Sequence, residues 1–530
     1  MSSVATHTNE VSSVRTSPRK VRPWLALVAL MFPVLTVSVT TTALSFALPD
    51  IAADLRPSAA QLLWIVDIYP LILAGLLIPM GTVGDRVGRR MLLIIGSVGF
   101  AGASVLGGLS TSAEMLIAAR VAIAVFGSML LPATLSLIRV VFDDDAARRT
   151  AIAIWTAGFS AGAALGPIVG GALLQAFSWH AAVLVAVPVC LGFAIIAPFT
   201  LPESKDPHPG KLDLISAVLA ILTMTPIVYG IKTLATGGAA LTGAVAIVFG
   251  LAIGVLFVLR QNRLTHPMVE LALFQSGRFT GGVLVNMVAN MVQFGFLFFI
   301  TQHLQLVVGL DAFTAGLLII PGMGMAIVAG LFAARWAGRV GPRTVVVTGL
   351  VLAAVGYLFI AATVGTTAWP MVVGYCILGV GIGFATTLST ELVVGSVPPE
   401  KSGAASAISE TGYEVGAVMG TAVVGGLVTG LYQTFLNIPV GVDPGSAAAA
   451  RETLGGAYAV AEGIQSGQDL IGAASLAYSQ AISMTGVIVG IAGLVFTLLV
   501  FWLLRTPRKV MELNPKTGQL TMVPTPGLED

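Results

Sequence analysis

Besides Glu391, which lies near the end of its stretch, four ionisable side chains stand well inside long apolar stretches of the sequence. Glu410 and Glu414 are four residues apart, so they would share one face of a helix. A carboxyl group that is buried beside a second one holds its proton more readily than it does in water. Asp67 and Arg120 lie at similar depths, roughly 8–9 Å into two other stretches at ~1.5 Å per residue, and could pair. We interpret all four as proton-coupling residues; the alternative for the second pair is a purely stabilising ion pair.

A second set of polar side chains could bind a ligand. Asn286, Asn290 and Gln293 are spaced four and three residues apart, which places their amides on one helix face. Phe294 follows directly, and further Phe and Met residues lie around this segment. Amide, aromatic and thioether surfaces together suit a tolerant pocket for flat, hydrophobic cations. Ordinary packing between helices explains any single one of these residues equally well.

One short segment combines acidic, basic and glycine residues: Gly84-Asp85-Arg86-Val87-Gly88-Arg89-Arg90. A similar sequence is repeated at Ala337–Arg343. Glycine permits a tight turn, and an aspartate can pair with an arginine or face a helix N-terminus. We predict a latch that holds one side of the molecule closed and releases it, formed by Gly84, Asp85, Arg86, Gly88, Arg89 and Arg90. A plain basic loop would explain the arginines but not the aspartate or the glycines.

Glycines also recur within one apolar stretch. Gly162, Gly166 and Gly170 are four residues apart and would line one helix face, where another backbone can approach closely. Pro167 stands among them and removes a backbone hydrogen bond, which bends a helix. The combination predicts an interface that flexes, although packing of small residues alone is the simpler alternative.

The composition of the chain indicates that the elements carrying these residues are membrane-spanning helices. The 530 residues are 56% hydrophobic and only 10% charged, whereas soluble domains carry about 25% charged residues. A spanning helix needs roughly 20 apolar residues, which predicts fourteen spans near 24–47, 61–83, 91–110, 115–139, 150–176, 180–201, 213–235, 239–260, 279–305, 314–336, 344–365, 368–395, 404–432 and 476–504. The net charge of +2 and the two cysteines, Cys190 and Cys376, favour no nucleic-acid partner, disulfide framework or metal site.

Arginine and lysine in the short loops predict the orientation. With fourteen spans almost all of these cations fall on one side, and the other side holds Arg56, Arg451 and Lys232. Cytoplasmic loops are the basic ones, so both termini are predicted to be cytoplasmic. The predicted units are an N-terminal tail (1–23), a six-helix bundle (24–201), a linking pair of helices with its loops (202–278), a second six-helix bundle (279–504) and a C-terminal tail (505–530). The external loop 433–475 is either a short helical hairpin or a passive spacer.

The motifs together resemble the major facilitator superfamily, and within it the fourteen-helix drug:proton antiporters of the QacA type. The match includes the loop Gly84–Arg90, Arg120 in the fourth helix and the glycine–proline signature around Pro167 in the fifth. The segment from Trp64 to Tyr69 is similar to the second helix of quaternary-ammonium exporters, and the segment from Ser409 to Glu414 is similar to their acidic stretch. The resemblance covers nearly the whole chain.

The resemblance implies an all-α integral membrane protein with the major facilitator fold: two six-helix bundles and two extra helices between them. It implies proton-coupled efflux of hydrophobic, often cationic compounds by alternating access, with antibiotic resistance as a consequence. It further implies a transporter rather than an enzyme, without a cofactor, driven by the proton gradient as a monomer in the bacterial plasma membrane. Its partners would be lipid, protons and drugs. The substrate-binding residues would be Thr40, Trp64, Tyr69, Asn286, Asn290, Gln293, Phe294 and Tyr413.

Two positions depart from that pattern. Thr40 stands where the group usually has an aspartate in the first helix, and Ala326 stands near the usual aspartate of the tenth. Both substitutions slightly favour an alternative, an exporter dedicated to one antibiotic, lipid or metabolite. A membrane sensor or a lipid-active enzyme is an alternative from another class, although the sequence contains no recognisable nucleotide loop, metal cluster or nucleophile–base arrangement.

Overall fold

The computed structural model describes residues 22–142, 144–205, 213–235, 239–264, 267–397, 402–461, 463–504, 509–513 and 520–524. In this part of the chain, thirteen helices are long and apolar enough to cross a membrane. The remaining predicted span, near 150–176, is also one long helix, Asp145–Ala176, whose apolar portion Ala161–Ala176 is shorter than the other spans. The prediction of a helical, multi-pass membrane protein is therefore confirmed.

The N-terminal half forms the first six predicted spans. Its helices are Pro23–Leu55 (α1), Ala59–Val87 (α2), Arg89–Gly108 (α3), Ala113–Gly127 (α4), Leu130–Val141 (α5), Asp145–Ala176 (α6), Trp179–Leu184 (α7) and Ala186–Thr200 (α8). The fourth and sixth spans are each broken into two helices, because the chain leaves regular helical hydrogen bonding briefly at residues 128–129 and 185. One hydrophobic core built entirely from this half holds these helices together.

Two linking helices follow, Leu214–Ala235 (α9) and Ala240–Arg263 (α10), and they pack mainly on each other. Most of their surface remains outside the bundle, as expected for helices in contact with lipid. Asp213 precedes α9, and its carboxylate lies 2.9 Å from Arg260 near the end of α10. The ion pair therefore joins the open ends of this helical hairpin.

The C-terminal half forms the last six predicted spans and the loop before the final one. After a short 3₁₀ turn, Leu271–Gln275, its helices are Gly277–Gln302 (α11), Ala312–Val340 (α12), Pro342–Thr363 (α13), Trp369–Val394 (α14), Ser402–Met419 (α15), Gly426–Phe435 (α16), Pro444–Glu452 (α17), Leu454–Ala461 (α18) and Gly467–Leu503 (α19). Wider π-helical turns extend α11 through His303–Val307 and join α15 to α16 through Gly420–Gly425.

The helix boundaries differ from the predicted ones mainly at one end of the bundle. Helix α1 continues to Leu55, and α19 begins at Gly467. Both helices therefore extend beyond the apolar runs from which the sequence predicts them. The loop 433–475 contains two short helices, as one of its two interpretations predicted. The C-terminal tail contributes an unpredicted antiparallel hairpin of strands Lys509–Leu513 (β1) and Leu520–Pro524 (β2).

The short helices α17 and α18 cover the end of the bundle at which α1 finishes, which we call the capped end. The opposite end, where α1 begins and the loop 84–90 lies, is the basic end. At the capped end Glu452 of α17 accepts a hydrogen bond from the backbone N–H of Ala59, the first residue of α2, at 2.9 Å. Tyr458 of α18 donates to the Leu306 carbonyl. The cap therefore contacts both halves.

The two halves meet along two pairs of helices, α6 with α12 and α2 with α15. Near the capped end the α6 and α12 backbones touch: a methyl group on Gly171 would come within 2.6 Å of the Ala312 carbonyl oxygen, and one on Gly316 within 2.6 Å of the Pro167 oxygen. These glycines allow the close approach. The cap and this contact join the halves at the same end of the molecule.

Candidate functional site

Asp67 on α2 forms a buried ion pair, but with a different partner from the predicted one. Its Oδ2 atom lies 3.1 Å from Nζ of Lys232 on the linking helix α9, and both side chains are at most 1% exposed. The Lys232 ammonium also lies 4.1 Å from the centre of the Trp64 ring, within the range of a cation–π interaction. The predicted Asp67–Arg120 ion pair is therefore wrong, because α9 supplies a nearer cation.

Arg120 on α4 uses its guanidinium to hold the backbone of α2. Nε donates to the Ile65 carbonyl at 3.1 Å, and one terminal nitrogen lies 3.5 Å from the Val66 carbonyl. The guanidinium carbon lies 4.6 Å from the centre of the buried Tyr69 ring. An arginine cannot lose its charge in a protein, so a buried one needs such acceptors. Arg120 thus fixes the helix that carries Asp67.

The two glutamates of α15 lie beside an aromatic group that joins the halves. Tyr413 stands between them in sequence, and its ring is 6.0 Å from that of Phe159 on α6 and 5.9 Å from that of Phe294 on α11, both edge-on. Glu414 is buried and Glu410 is exposed. Because Glu410 is one turn from Tyr413, it lies next to the same space between the halves.

Two of the three amides predicted to bind substrate form hydrogen bonds with protein groups, one between helices and one within α11. The Asn286 side chain donates to the Ser409 carbonyl of α15 at 2.9 Å, and the Asn290 side chain donates to the Asn286 carbonyl at 2.8 Å. Both are buried, whereas Gln293 is partly exposed. In this structure the two asparagines therefore use their amides to hold α11 and α15 together.

Thr40 and Tyr69, two other predicted substrate residues, are also enclosed by protein. Thr40 is 4% exposed and Tyr69 is fully buried. Trp64 is partly buried and contacts Lys232. Gln293, Phe294 and Tyr413 lie beside the glutamates or on the neighbouring turn of α11, and Asn286 bonds to Ser409, which precedes Glu410.

The predicted latch contacts the end of α8 in its own half. Asp85 and Arg89 form an ion pair at 2.9 Å, and the Arg89 backbone N–H donates to the Ser204 carbonyl at 2.9 Å. The Arg90 backbone N–H donates to Oε1 of Glu203 at 3.1 Å. Gly88 has a φ of 118°, and a methyl group there would come within 2.6 Å of the same Glu203 oxygen. In this structure the loop is therefore bonded to Glu203 and Ser204 of its own half.

The glycine stripe of α6 packs against α1 rather than against the opposite half. Methyl groups on Gly162, Gly166 and Gly170 would each collide with α1. The close approach lets the Ser38 hydroxyl donate to the Phe159 carbonyl at 2.6 Å and the Thr42 hydroxyl donate to the Ala163 carbonyl at 3.1 Å. The contact across the halves belongs to Pro167 and Gly171 on another face of α6.

Comparison with known proteins gives the family. Residues 30–421 match the family model described as Major Facilitator Superfamily. The chain belongs to this family. It is a membrane transporter rather than an enzyme, as the sequence predicted, and the major facilitator fold is confirmed.

Similar proteins include exporters. The chain is 48% identical over 470 residues to "Multidrug efflux pump LfrA" of Mycolicibacterium smegmatis, which covers 88% of this chain and 93% of that protein. It is 33% identical to "Methyl viologen resistance protein SmvA" of Salmonella typhimurium, over 86% of this chain and 93% of that protein. A solved bacterial homologue of the human lysosomal transporter Spinster shares the fold, with a TM-score of 0.61 at 17% identity, over 91% of this chain and 97% of that one.

Lys232 is the residue that sequence reasoning missed. It stands in the last turn of an apolar helix, three residues before that helix ends at Ala235. An ionisable residue inside a span is a functional candidate by default, so the signal was present. Its partner could not be found in the same way, because no local pattern places α9 against α2.

Proposed function

We propose that this transporter exports hydrophobic, often cationic drugs in exchange for protons. Drug efflux agrees with the relatives, which are named as a multidrug efflux pump and a methyl viologen resistance protein. The observation that carries the proton part is the position of Glu410 and Glu414: two acids one turn apart, on either side of a tyrosine that contacts aromatic rings of both halves. Acid and aromatic surface in one place suit both a proton and a hydrophobic cation.

The proposed mechanism is exchange at one shared site. A proton on either glutamate neutralises it, and a cationic drug is attracted to the same carboxylate only when the proton has left. Proton and drug therefore exclude each other, and each crosses when the halves rock about the site. The proton enters from outside, binds the carboxylate and leaves to the cytoplasm, while the drug moves in the opposite direction. Arg120 supports the exchange by holding α2, which packs against α15, to α4.

We infer the orientation from the loop charges. The basic end would face the cytoplasm in the cell membrane, with both termini on that side. The halves are joined at the capped end, so the structure would then correspond to a state closed to the outside. In this state the loop 84–90 and residues 201–205 form a rigid unit of the N-terminal half, and we propose that the loop changes partner when the halves close on the cytoplasmic side.

We further propose that the gradient alone drives the cycle in a monomer, without a cofactor. The described residues contain no group of three or more His, Cys, Asp or Glu side chains that could hold a metal. The bacterial relatives support location in the plasma membrane.

The test is transport by purified protein in liposomes. A fluorescent lipophilic cation and methyl viologen are offered under an imposed pH gradient, and drug and proton movement are recorded together. Wild-type protein is expected to move both in opposite directions. Glu410→Gln and Glu414→Gln should each lower proton-coupled transport by at least about tenfold, because each removes a proton-binding carboxylate.

Glu391→Gln is the matched control. Glu391 is an exposed acid of α14, so its loss should leave transport near the wild-type rate. Wild-type liposomes in which drug movement is independent of the gradient would overturn proton coupling. Unchanged transport in both glutamate variants would remove α15 from the mechanism.

A further inference from the structure

The buried cation Lys232 lies on a helix that the two-bundle mechanism does not use. Helix α9 is one of the two linking helices, yet Lys232 is 1% exposed and 3.1 Å from the Asp67 carboxylate. Around the pair, Ile68 and Leu71 of α2 form one hydrophobic cluster with Val228 of α9 and with Val418 and Ala422 of the C-terminal half. The ion pair is thus sealed inside apolar packing.

Helix α9 contacts both halves along its length. On the N-terminal side Ile221 occupies the space beside Gly75 of α2, where a methyl group would collide with it. On the C-terminal side Ala235 lies against Gly426 and Gly430 of α16. The helix therefore covers the seam between α2 and α16.

The two sides of α9 differ in the strength of their contacts. Toward α2 the helix carries a desolvated ion pair and a cation–π contact with Trp64. Breaking a buried pair leaves an uncompensated charge in an apolar environment, which is strongly unfavourable. Toward the C-terminal half the contacts are apolar: Val228 shares a cluster with Val418 and Ala422, Ala235 lies against two glycines of α16, and none of these described contacts is an ion pair. When the halves rock, sliding is easier on the α16 side.

We propose that Lys232 is a positioning residue that keeps Asp67 as a permanent carboxylate and holds α9 to α2. The linking helices then move with the N-terminal half. The protons of the exchange travel through Glu410 and Glu414, and Asp67 carries none. This inference rests on the proposed proton exchange, and it replaces the role that the sequence gave to Asp67.

The test compares four forms of the full-length protein in liposomes: wild type, Asp67→Asn, Lys232→Met and the double variant. Each single variant leaves one charge unpaired and should lower drug transport per folded transporter by about tenfold or more. The double variant removes both charges at similar volume and should recover to within about threefold of wild type. Its ratio of protons to drug should equal that of wild type.

The pH profiles of the single variants distinguish charge compensation from simple packing. Relative to wild type, and at a fixed gradient, Lys232→Met should recover as pH falls, because protonation removes the unpaired charge of Asp67. Asp67→Asn should recover as pH rises, because deprotonation removes the unpaired charge of Lys232. Arg120 of α4 and Glu414 of α15 are the other charged groups near this cluster. They are present in every form, and the double variant, which lacks both charges of the pair, shows how their own titration affects the profile.

The outcomes separate this inference from the proposed function. Failure of wild type to exchange protons for drug would overturn the proposed function itself. If wild type exchanges them but the double variant moves drug without protons, Asp67 is a proton carrier and the inference fails. A double variant as inactive as Asp67→Asn also contradicts the inference, provided that its melting temperature equals that of wild type. Parallel pH profiles for the two single variants would leave Lys232 with a packing role only.

Discussion

Two glycines at the basic end have similar backbones and different surroundings. Gly88 and Gly341, which follow α2 and α12, have φ angles of 118° and 83°. Residues with a side chain are strained in this region, at a cost of about 1–3 kcal/mol. A methyl group on Gly88 would also collide with Glu203, whereas one on Gly341 would meet nothing within 4 Å. A comparison of alanine substitutions at the two glycines therefore distinguishes the cost of backbone strain from the cost of a steric clash.

We expect Gly88→Ala to destabilise the protein more than Gly341→Ala. The second substitution adds strain only, about 1–3 kcal/mol, and the first also displaces the carboxylate that accepts the Arg90 N–H. Thermal unfolding of the purified variants measures the difference. Gly338→Ala is the control, since this helical glycine has open space around it and alanine favours helix. Equal melting temperatures for the Gly88 and Gly341 variants would show that the Glu203 contact contributes nothing.

For individual residues, the sequence identified ionisable side chains inside the spans but not the groups with which they pair. The spacing of Glu410 and Glu414 placed them on one helix face, one turn apart, since helix periodicity is a local property. The partner of Asp67 depends on where α9 packs, which is a long-range property of the fold. Arg120, the predicted partner, bonds to carbonyl groups of α2 instead. Depth in the membrane was therefore insufficient to identify an ion pair.

At the scale of elements, the α9–α10 hairpin is closed by one acid outside the membrane spans. Burial opposes ionisation of Asp213, but hydrogen bonds from Ser216 and Arg260 outweigh it and lower the pKa of this carboxyl below its usual value. A group with a lowered pKa in the folded state stabilises it above the pKa of the unfolded state, and loses this effect as pH falls through its folded value.

We predict that Asp213→Asn lowers the stability of the protein by about 1 kcal/mol at neutral pH, because it removes a partly exposed ion pair. The difference from wild type should remain constant down to about pH 4 and shrink below it, as Asp213 of the wild type becomes protonated. Thermal unfolding in detergent at several pH values measures this. Asp469→Asn, at an exposed acid near the start of α19, is the control. A difference that grows on acidification would contradict the assigned sign.

The sequence predicted that the spanning helices exist, but it did not predict where they end. Apolar runs report only the part of a helix that lies in lipid, so the spans were found from length and composition. Helix α19 extends nine residues before its predicted start at 476, into a segment with Asp469 and Gln468, because packing of Leu470 in the C-terminal core favours helix there. The cap helices were similarly ambiguous, since their sequence is rich in alanine and glycine and their contacts are with distant residues.

At the scale of the whole molecule, the described contacts between the halves are strongest at the capped end. Glu452 of the cap bonds to α2, and Gly171 of α6 touches Ala312 of α12. Export through alternating access requires this end to open once in each cycle. A covalent bond across α6 and α12 should therefore stop transport.

We predict that a disulfide between Gly171→Cys and Ala312→Cys, in a background without Cys190 and Cys376, lowers drug transport in liposomes by about tenfold or more, because closure becomes permanent. A reducing agent should restore the rate. The matched control is a disulfide between Ala361→Cys and Gly486→Cys, which joins α13 and α19 within the C-terminal half, where a Cβ atom on Gly486 would lie 2.9 Å from that of Ala361. If each half moves as a rigid body, this bond should leave transport unchanged. Full transport with the first disulfide completely formed would mean that the halves do not separate at the capped end.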